Sequence, residues 1–210
     1  MLRIKNFTKQ YNGITALQIP ELKIPGGIHW VKGKNGAGKS TLFRSLAGIL
    51  PFEGEVWLDD TYEINRDKTE YRLRVNQSDA EPVFPPFLHA AEMIDFVAKA
   101  KKASQGQVDE LKDLLGIRSF ENRSIQTYSS GMLKKASLVM AFLGQPRWIF
   151  LDEPLITLDA EATGHLSGLI TRSAKSGVNF LISSHEESLE KKIPVDSQYQ
   201  AENQSLRLCL

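Results

Sequence analysis

Residues 28–50 read IHWVKGKNGAGKSTLFRSLAGIL. The apolar run Ile28-His29-Trp30-Val31 leads into Gly33-Lys34-Asn35-Gly36-Ala37-Gly38-Lys39-Ser40, and from Thr41 apolar residues recur at helical spacing until Pro51 stops them. The order is strand, glycine loop, helix. The loop fits the pattern GxxxxGK[ST], in which glycines let backbone N–H groups converge on phosphate oxygens at the positive end of a helix. In that pattern Lys39 is expected to reach the β- and γ-phosphates of a bound nucleotide, and the Ser40 hydroxyl to ligate Mg²⁺.

Further along, Trp148-Ile149-Phe150-Leu151-Asp152-Glu153 is a buried strand ending in two carboxylates. The C-terminal edge of a parallel strand is where ligands bind in α/β sheets, and the pleat points successive side chains to opposite faces. Asp152 is expected to hold Mg²⁺ through water, which leaves Glu153 to polarise the attacking water as general base.

Between and around these elements the text divides into regions. Residues 1–31 are short strand-like runs broken at Tyr11-Asn12-Gly13, Ile19-Pro20 and Pro25-Gly26-Gly27, which predicts an antiparallel β lobe with MLRIKNFTKQY as an edge strand. Gly54 to Leu58 reads as a strand, and Arg72 to Val75 as another delivering Gln77 to a loop. After a proline-rich entry, AAEMIDFVAKA and VDELKDLLGI carry helical rhythm, with Lys99, Lys101 and Lys102 as a solvated helix end. Residues 78–131 are therefore expected to form a helical sub-lobe inserted into an α/β core made of 1–77 and 132–210, within a single domain. A helix over MLKKASLVMAFLG, a second over GHLSGLITRSAKSG and the buried strand VNFLISSH complete the alternation of a mainly parallel sheet.

A formal charge of +1 supplies no field for steering nucleic acid or anionic lipid, and no apolar run approaches the ~20 residues of a membrane helix. The single Cys209 allows no internal disulfide, so the reading is a cytoplasmic protein. Nucleic acid is not an expected partner.

With these elements in place the chain resembles the ATP-binding cassette family, and the residues that decide it are Tyr128-Ser129-Ser130-Gly131-Met132, just upstream of the carboxylate strand. They correspond to that family's LSGGQ signature, departing from it at Tyr128, Ser130 and Met132. The resemblance implies that this segment opens a helix and, in a head-to-tail dimer, sets Ser129, Ser130 and Gly131 against the γ-phosphate of ATP held by the other cassette. It further implies that Gln77 touches Mg²⁺ and the attacking water, that Asp159 is the aspartate of the loop after the carboxylate strand, that His185 contacts the γ-phosphate, and that Tyr11 stacks on adenine. The resemblance spans essentially the whole chain, and with only a short stretch after His185 no appended domain is expected. The implied role is the energy-coupling ATPase of a membrane transporter, peripheral on the inner face of the membrane. Its partners are a second cassette, as homodimer or heterodimer, and a separate integral membrane permease docking beside Gln77 and Phe84-Pro85-Pro86-Phe87. The compact length and the YSSGM signature are similar to exporter-type cassettes. The alternative from another class is a soluble cassette acting in iron–sulfur or nucleic-acid-related assembly.

Overall fold

Two sheets share the work of burying the apolar runs. The computed structural model describes residues 1–184 and 189–209. Strands β1 (Leu2–Tyr11) and β2 (Ile14–Ile24) form an antiparallel hairpin, and β4 (Glu53–Leu58) and β5 (Tyr62–Glu63) extend it to a four-stranded sheet ordered β2-β1-β4-β5. The second sheet contains β3 (Ile28–Lys32), β6 (Val75–Ser78), β7 (Trp148–Asp152), β8 (Asn179–Ser183), β9 (Ser197–Glu202) and β10 (Ser205–Leu208) in the order β10-β9-β3-β8-β7-β6. It is parallel except for the β9–β10 hairpin.

Strands buried on both faces read as continuous apolar runs rather than alternating ones, and here alternate residues serve two different cores. Trp30, Ile149, Leu151, Phe180 and Ile182 face one core, which they share with helices α3 (Ala90–Lys101), α4 (Gln105–Leu114), α5 (Ser130–Ala141) and α6 (Ala160–Lys175). Val31, Trp148, Phe150, Leu181 and Tyr199 face the other, closed by the antiparallel sheet and by helix α1 (Lys39–Leu46). The glycine loop therefore leaves β3 between two packed layers, which fixes its position. Of the remaining helices, α2 (Lys68–Arg74) precedes β6 and α7 (Leu189–Lys192) precedes β9.

Several sequence expectations change in three dimensions. The N-terminal strand is not an edge: β1 lies between β2 and β4, with Leu2, Ile4 and Phe7 fully buried. Ile19-Pro20 does not break β2, because β2 is itself the edge strand, where a residue lacking an N–H is tolerated. Opposite it β1 bulges at Asn6, with φ 49°. Gly54 fits under that bulge with φ 108°, and a Cβ there would come within 2.4 Å of the Asn6 carbonyl oxygen. Residues 72–74 are the end of α2 rather than a strand: Tyr71 is wholly buried and its hydroxyl donates to the Leu46 carbonyl at 2.8 Å, which ties this short helix to α1. Gln77 consequently lies on β6 and not in a loop. Nor is Lys101 solvated; its ammonium donates to the carbonyls of Arg72 and of Val75, the latter at 2.8 Å, and burial pushes its pKa down to about 8. Finally, α6 starts at Ala160, four residues earlier than the sequence rhythm suggested, because Asp159 caps it by accepting from the Ala162 N–H at 2.7 Å. No helix among the described residues is long and apolar enough to cross a membrane.

Candidate active site

The glycine loop turns through left-handed geometry at Gly36 and Gly38, with φ 79° and 92°, and Gly38 caps α1. These conformations are open to glycine at little cost and point N–H groups toward the helix mouth. Gly33 has φ 153°, and a Cβ on it would meet the Ala201 carbonyl oxygen at 2.5 Å, so the loop also presses against β9. Lys39 is buried, and its ammonium donates to the carbonyls of Gly33 at 2.6 Å and Lys34 at 3.1 Å. Burial lowers its pKa, opposed by the nearby carboxylates of Glu153 and Asp152. A cation already desolvated and aimed into a loop of N–H groups suits a phosphate chain.

A cavity of about 490 Å³ opens over this loop. Asn35, Gly36, Ala37, Gly38, Lys39, Ser40 and Thr41 line its floor, Asp152 and Glu153 close one side, and Tyr11, Thr15, Ala16 and Gln204 close another. Tyr11 is 46 % exposed, with the Lys9 ammonium 4.7 Å from its ring centroid, so a ring face is available for a flat ligand.

The two carboxylates are held differently. Ser183, at the end of β8, donates through Oγ to Asp152 Oδ1 and accepts from the Glu153 N–H at 3.0 Å. Asp152 Oδ2 is buried with no hydrogen-bond partner among the described residues, and the Ser40 hydroxyl lines the same cavity. An orphaned carboxylate oxygen with a hydroxyl in one cavity is a hard oxygen donor set, which fits Mg²⁺. Glu153 takes φ 45°, a left-handed conformation that costs a non-glycine residue roughly 1 kcal/mol or more and persists only where surrounding contacts enforce it. The turn is what aims its side chain.

The signature segment lies elsewhere. Ser129 caps α5, its Oγ accepting from the Met132 N–H at 3.3 Å, and Ser129 and Ser130 are both exposed. Neither they nor Gly131 line the cavity. Two departures from LSGGQ have local reasons: the Tyr128 hydroxyl donates to the Phe120 carbonyl at 2.8 Å with its ring edge-on to Phe120, and Met132 packs against the helical core. Gly131 is required by contact, since a Cβ there would sit 2.7 Å from the Thr157 carbonyl oxygen. Asp159 also stays off the cavity; besides capping α6 it pairs with the Lys135 ammonium at 2.8 Å, which holds its carboxyl below the usual range.

Gln77 is likewise not a wall of the nucleotide cavity but of a neighbouring groove. Its amide donates to Asp79 Oδ1 at 2.6 Å while Gln77 Oε1 is buried without a partner among the described residues, and Arg44 Nε donates to the same Asp79 oxygen at 2.8 Å. His185 lies outside the described residues; Ser184 just before it accepts from the Trp30 indole N–H at 3.1 Å.

Sequence reasoning missed Thr15, Ala16 and Gln204 as cavity walls, and Ser183 and Lys134 behind the carboxylates. Gln204 sits in the β9–β10 turn, where Asn203 and Gln204 both have left-handed φ, and its carbonyl accepts from the Gln18 N–H at 2.6 Å. The Asn-Gln pair between alternating residues 197–208 was the available hairpin signal. For Lys134 the signal was its spacing from Ser137, Leu138 and Ala141, the buried stripe of α5.

A strand–glycine loop–helix cradle, a buried lysine and a strand-end carboxylate pair share one cavity, an arrangement suited to a nucleotide's phosphates. The sequence profile of the ABC transporter family matches residues 21–156. The chain belongs to that family and is an ATP-hydrolysing cassette of it. Among curated relatives it is 27 % identical over 193 residues to the lantibiotic transport ATP-binding protein SrtF of Streptococcus pyogenes, covering 88 % of this chain and 80 % of the relative. It is 30 % identical over 196 residues to the spermidine/putrescine import ATP-binding protein PotA of Mesoplasma florum, covering 89 % of this chain and 55 % of that one. The fold superimposes on an ATP-binding subunit of an ABC transporter with TM-score 0.86 and 23 % identity, covering 98 % of this chain and 88 % of that one. It also matches a dimeric cassette in a post-hydrolysis state with ADP and Pi, with TM-score 0.82 and 20 % identity, covering 98 % and 96 %.

Proposed function

We propose that this cassette binds Mg²⁺-ATP in the 490 Å³ cavity and hydrolyses it in a head-to-tail pair, driving a membrane permease from the cytoplasmic face. The observation that carries this reading is the split between two sets of residues. Lys39, Ser40, Asp152, Glu153 and Tyr11 share one cavity, whereas Ser129, Ser130 and Gly131 stand at a helix N-terminus that does not line it, with both serines exposed. Helix N-termini favour anions, so a second cassette turned head to tail brings that terminus to the phosphate the first one holds. The dimeric state of a structural neighbour supports this arrangement.

Within the site, loop N–H groups and Lys39 hold the phosphates, and Tyr11 stacks the base. Glu153 accepts the proton of the attacking water. Asp152 and Ser40 would hold Mg²⁺, which would supply charge neutralisation to the phosphates; Gln77 lies on β6 in the wall of the neighbouring groove, and to serve that ion its side chain must leave Asp79. His185 is assigned to the γ-phosphate by its place after β8.

The permease is assigned to the groove of about 620 Å³ between α1, β6, α3 and α5, walled by Gln77, Val83, Phe84, Met93 and Val97. Val83, in that wall, is 90 % exposed, and Phe87, three residues after Phe84, is 76 % exposed, apolar surface that a partner would cover. Its wall includes Gln77, so a helix seated there touches a residue assigned to the catalytic site. The relatives named for lantibiotic transport and for polyamine import support a transport role. The test is co-expression with candidate multi-span proteins and purification in detergent. A stoichiometric complex lost on Val83→Asp with Phe87→Asp is expected. Recovery of the cassette only with soluble assembly factors, unaffected by those substitutions, would overturn the transport reading.

A further inference from the structure

Lys134 is the one cation of α5 that points wholly inward, with no exposed surface at all. A buried ammonium normally answers to a carboxylate, but its hydrogen bonds here go to carbonyls: Asp79 at 2.6 Å, Asp152 at 2.7 Å and Ala80 at 3.4 Å. These acceptors belong to two separate segments of the site. Asp79 and Ala80 follow Gln77, and the Asp79 side chain receives the Gln77 amide; Ala80 also lines the nucleotide cavity. Asp152 carries the orphaned oxygen, and its carbonyl belongs to the peptide unit that leads into Glu153.

That peptide is gripped at both ends. Lys134 donates to its C=O at 2.7 Å, and its N–H donates to Ser183 Oγ at 3.0 Å. Immediately beyond it Glu153 adopts φ 45°, which its own side chain disfavours. Two hydrogen bonds that fix the plane of the preceding peptide leave that turn little freedom, so they set where the Glu153 carboxylate points. Lys134 is also five residues from Ser129, on the helix whose N-terminus carries the signature.

We propose that Lys134 is a positioning residue for hydrolysis. Its ammonium locks the Asp152–Glu153 peptide so that Glu153 faces the γ-phosphate, and it holds the Gln77–Ala80 segment in register with that carboxylate, so the signature helix, the base and the groove wall move as one body. This rests on Glu153 being the general base. Lys134 does not line the nucleotide cavity; its effect is on geometry, and misplacing a catalytic group by ~1 Å costs on the order of a hundredfold in rate.

The test uses the full chain, with steady-state ATPase rates at saturating Mg²⁺-ATP and Kd measured by titration of a fluorescent ATP analogue. Lys134→Met keeps the stem and removes the donors; it should lower kcat by about tenfold to a hundredfold while Kd stays within about threefold. Lys134→Gln, which returns one donor, should recover part of that kcat. Ser183→Ala loosens the other end of the same peptide, so the double variant should lose less than the product of the two single losses. Should Lys134→Met fail to fold, the Gln and Ser183 variants carry the same comparison. A wild-type kcat in Lys134→Met, a Kd that rises as far as kcat falls, or multiplicative single losses would each overturn the proposal. Glu153→Gln run alongside separates the two levels: if that variant hydrolyses normally, the assignment of the base is what fails, whereas its inactivation beside a normal Lys134→Met removes the Lys134 proposal alone.

Discussion

Glu153→Gln separates binding from chemistry at one atom. Glu153 is buried at the end of β7, and glutamine has the same volume and no worse tolerance of φ 45°, so the site should keep its shape. What is lost is the ability to accept a proton. General-base assistance contributes roughly 10² to 10⁴ in rate, or about 2.7 to 5.4 kcal/mol at 1.36 kcal/mol per tenfold. Binding should move the other way. A carboxylate beside the phosphates repels their charge, so removing one negative charge favours bound ATP. The Lys39 ammonium loses Glu153 as an acidic neighbour but keeps Asp152 and the carbonyls of Gly33 and Lys34. The variant is therefore expected to bind ATP at least as tightly as the parent, hydrolyse it roughly 10² to 10⁴ times more slowly, and accumulate as a dimer with Mg²⁺-ATP that reverts to monomer with ADP. Size-exclusion chromatography with light scattering and a phosphate-release assay measure both halves. Parental phosphate release would refute the base assignment, and a variant that stays monomeric with ATP bound would refute the shared site and the competence of the YSSGM signature.

Lys39→Ala removes the buried cation at the floor of the cavity, and nucleotide titration should show binding lost or weakened by orders of magnitude; an unchanged Kd contradicts the phosphate-loop reading. Gly131→Ala would place a Cβ 2.7 Å from the Thr157 carbonyl, so the loop after β7 must shift against the signature helix. ATPase activity should drop while monomer nucleotide affinity holds, and equal losses in both would count against a role across the dimer. Lys101 gives a pH signature: its pKa falls from 10.5 to about 8 on folding because burial disfavours the charged form. The folded state thus carries the full penalty below pH 8 and sheds it as pH rises toward 10.5. The stability of wild type minus that of Lys101→Met, from urea unfolding, should increase across that window, and a pH-independent difference would show that Lys101 is not desolvated.

Local patterns in this chain were legible because their physics is local. The glycine loop, the strand ending in Asp152 and Glu153 and the rhythm of the long helices depend on residues a few positions apart, and with them came the parallel sheet and the chemistry of the cavity. Other features depend on contacts between distant segments. β1 is central rather than peripheral because β4 pairs with it from 50 residues away, residues 72–74 are helical because Tyr71 finds the end of α1, and Pro20 is harmless because β2 happens to be the edge. The β9–β10 hairpin, with Gln204 at the cavity, becomes a strand pair only beside β3. By sequence alone Asp152 and Glu153 were two carboxylates at a strand end; tertiary structure gave them different surroundings. Ser183, 31 residues after Asp152, and Lys134, 18 before it, hold the peptide between them, since hydrogen bonds at 2.7 to 3.0 Å depend on where backbones cross and not on any spacing along the chain.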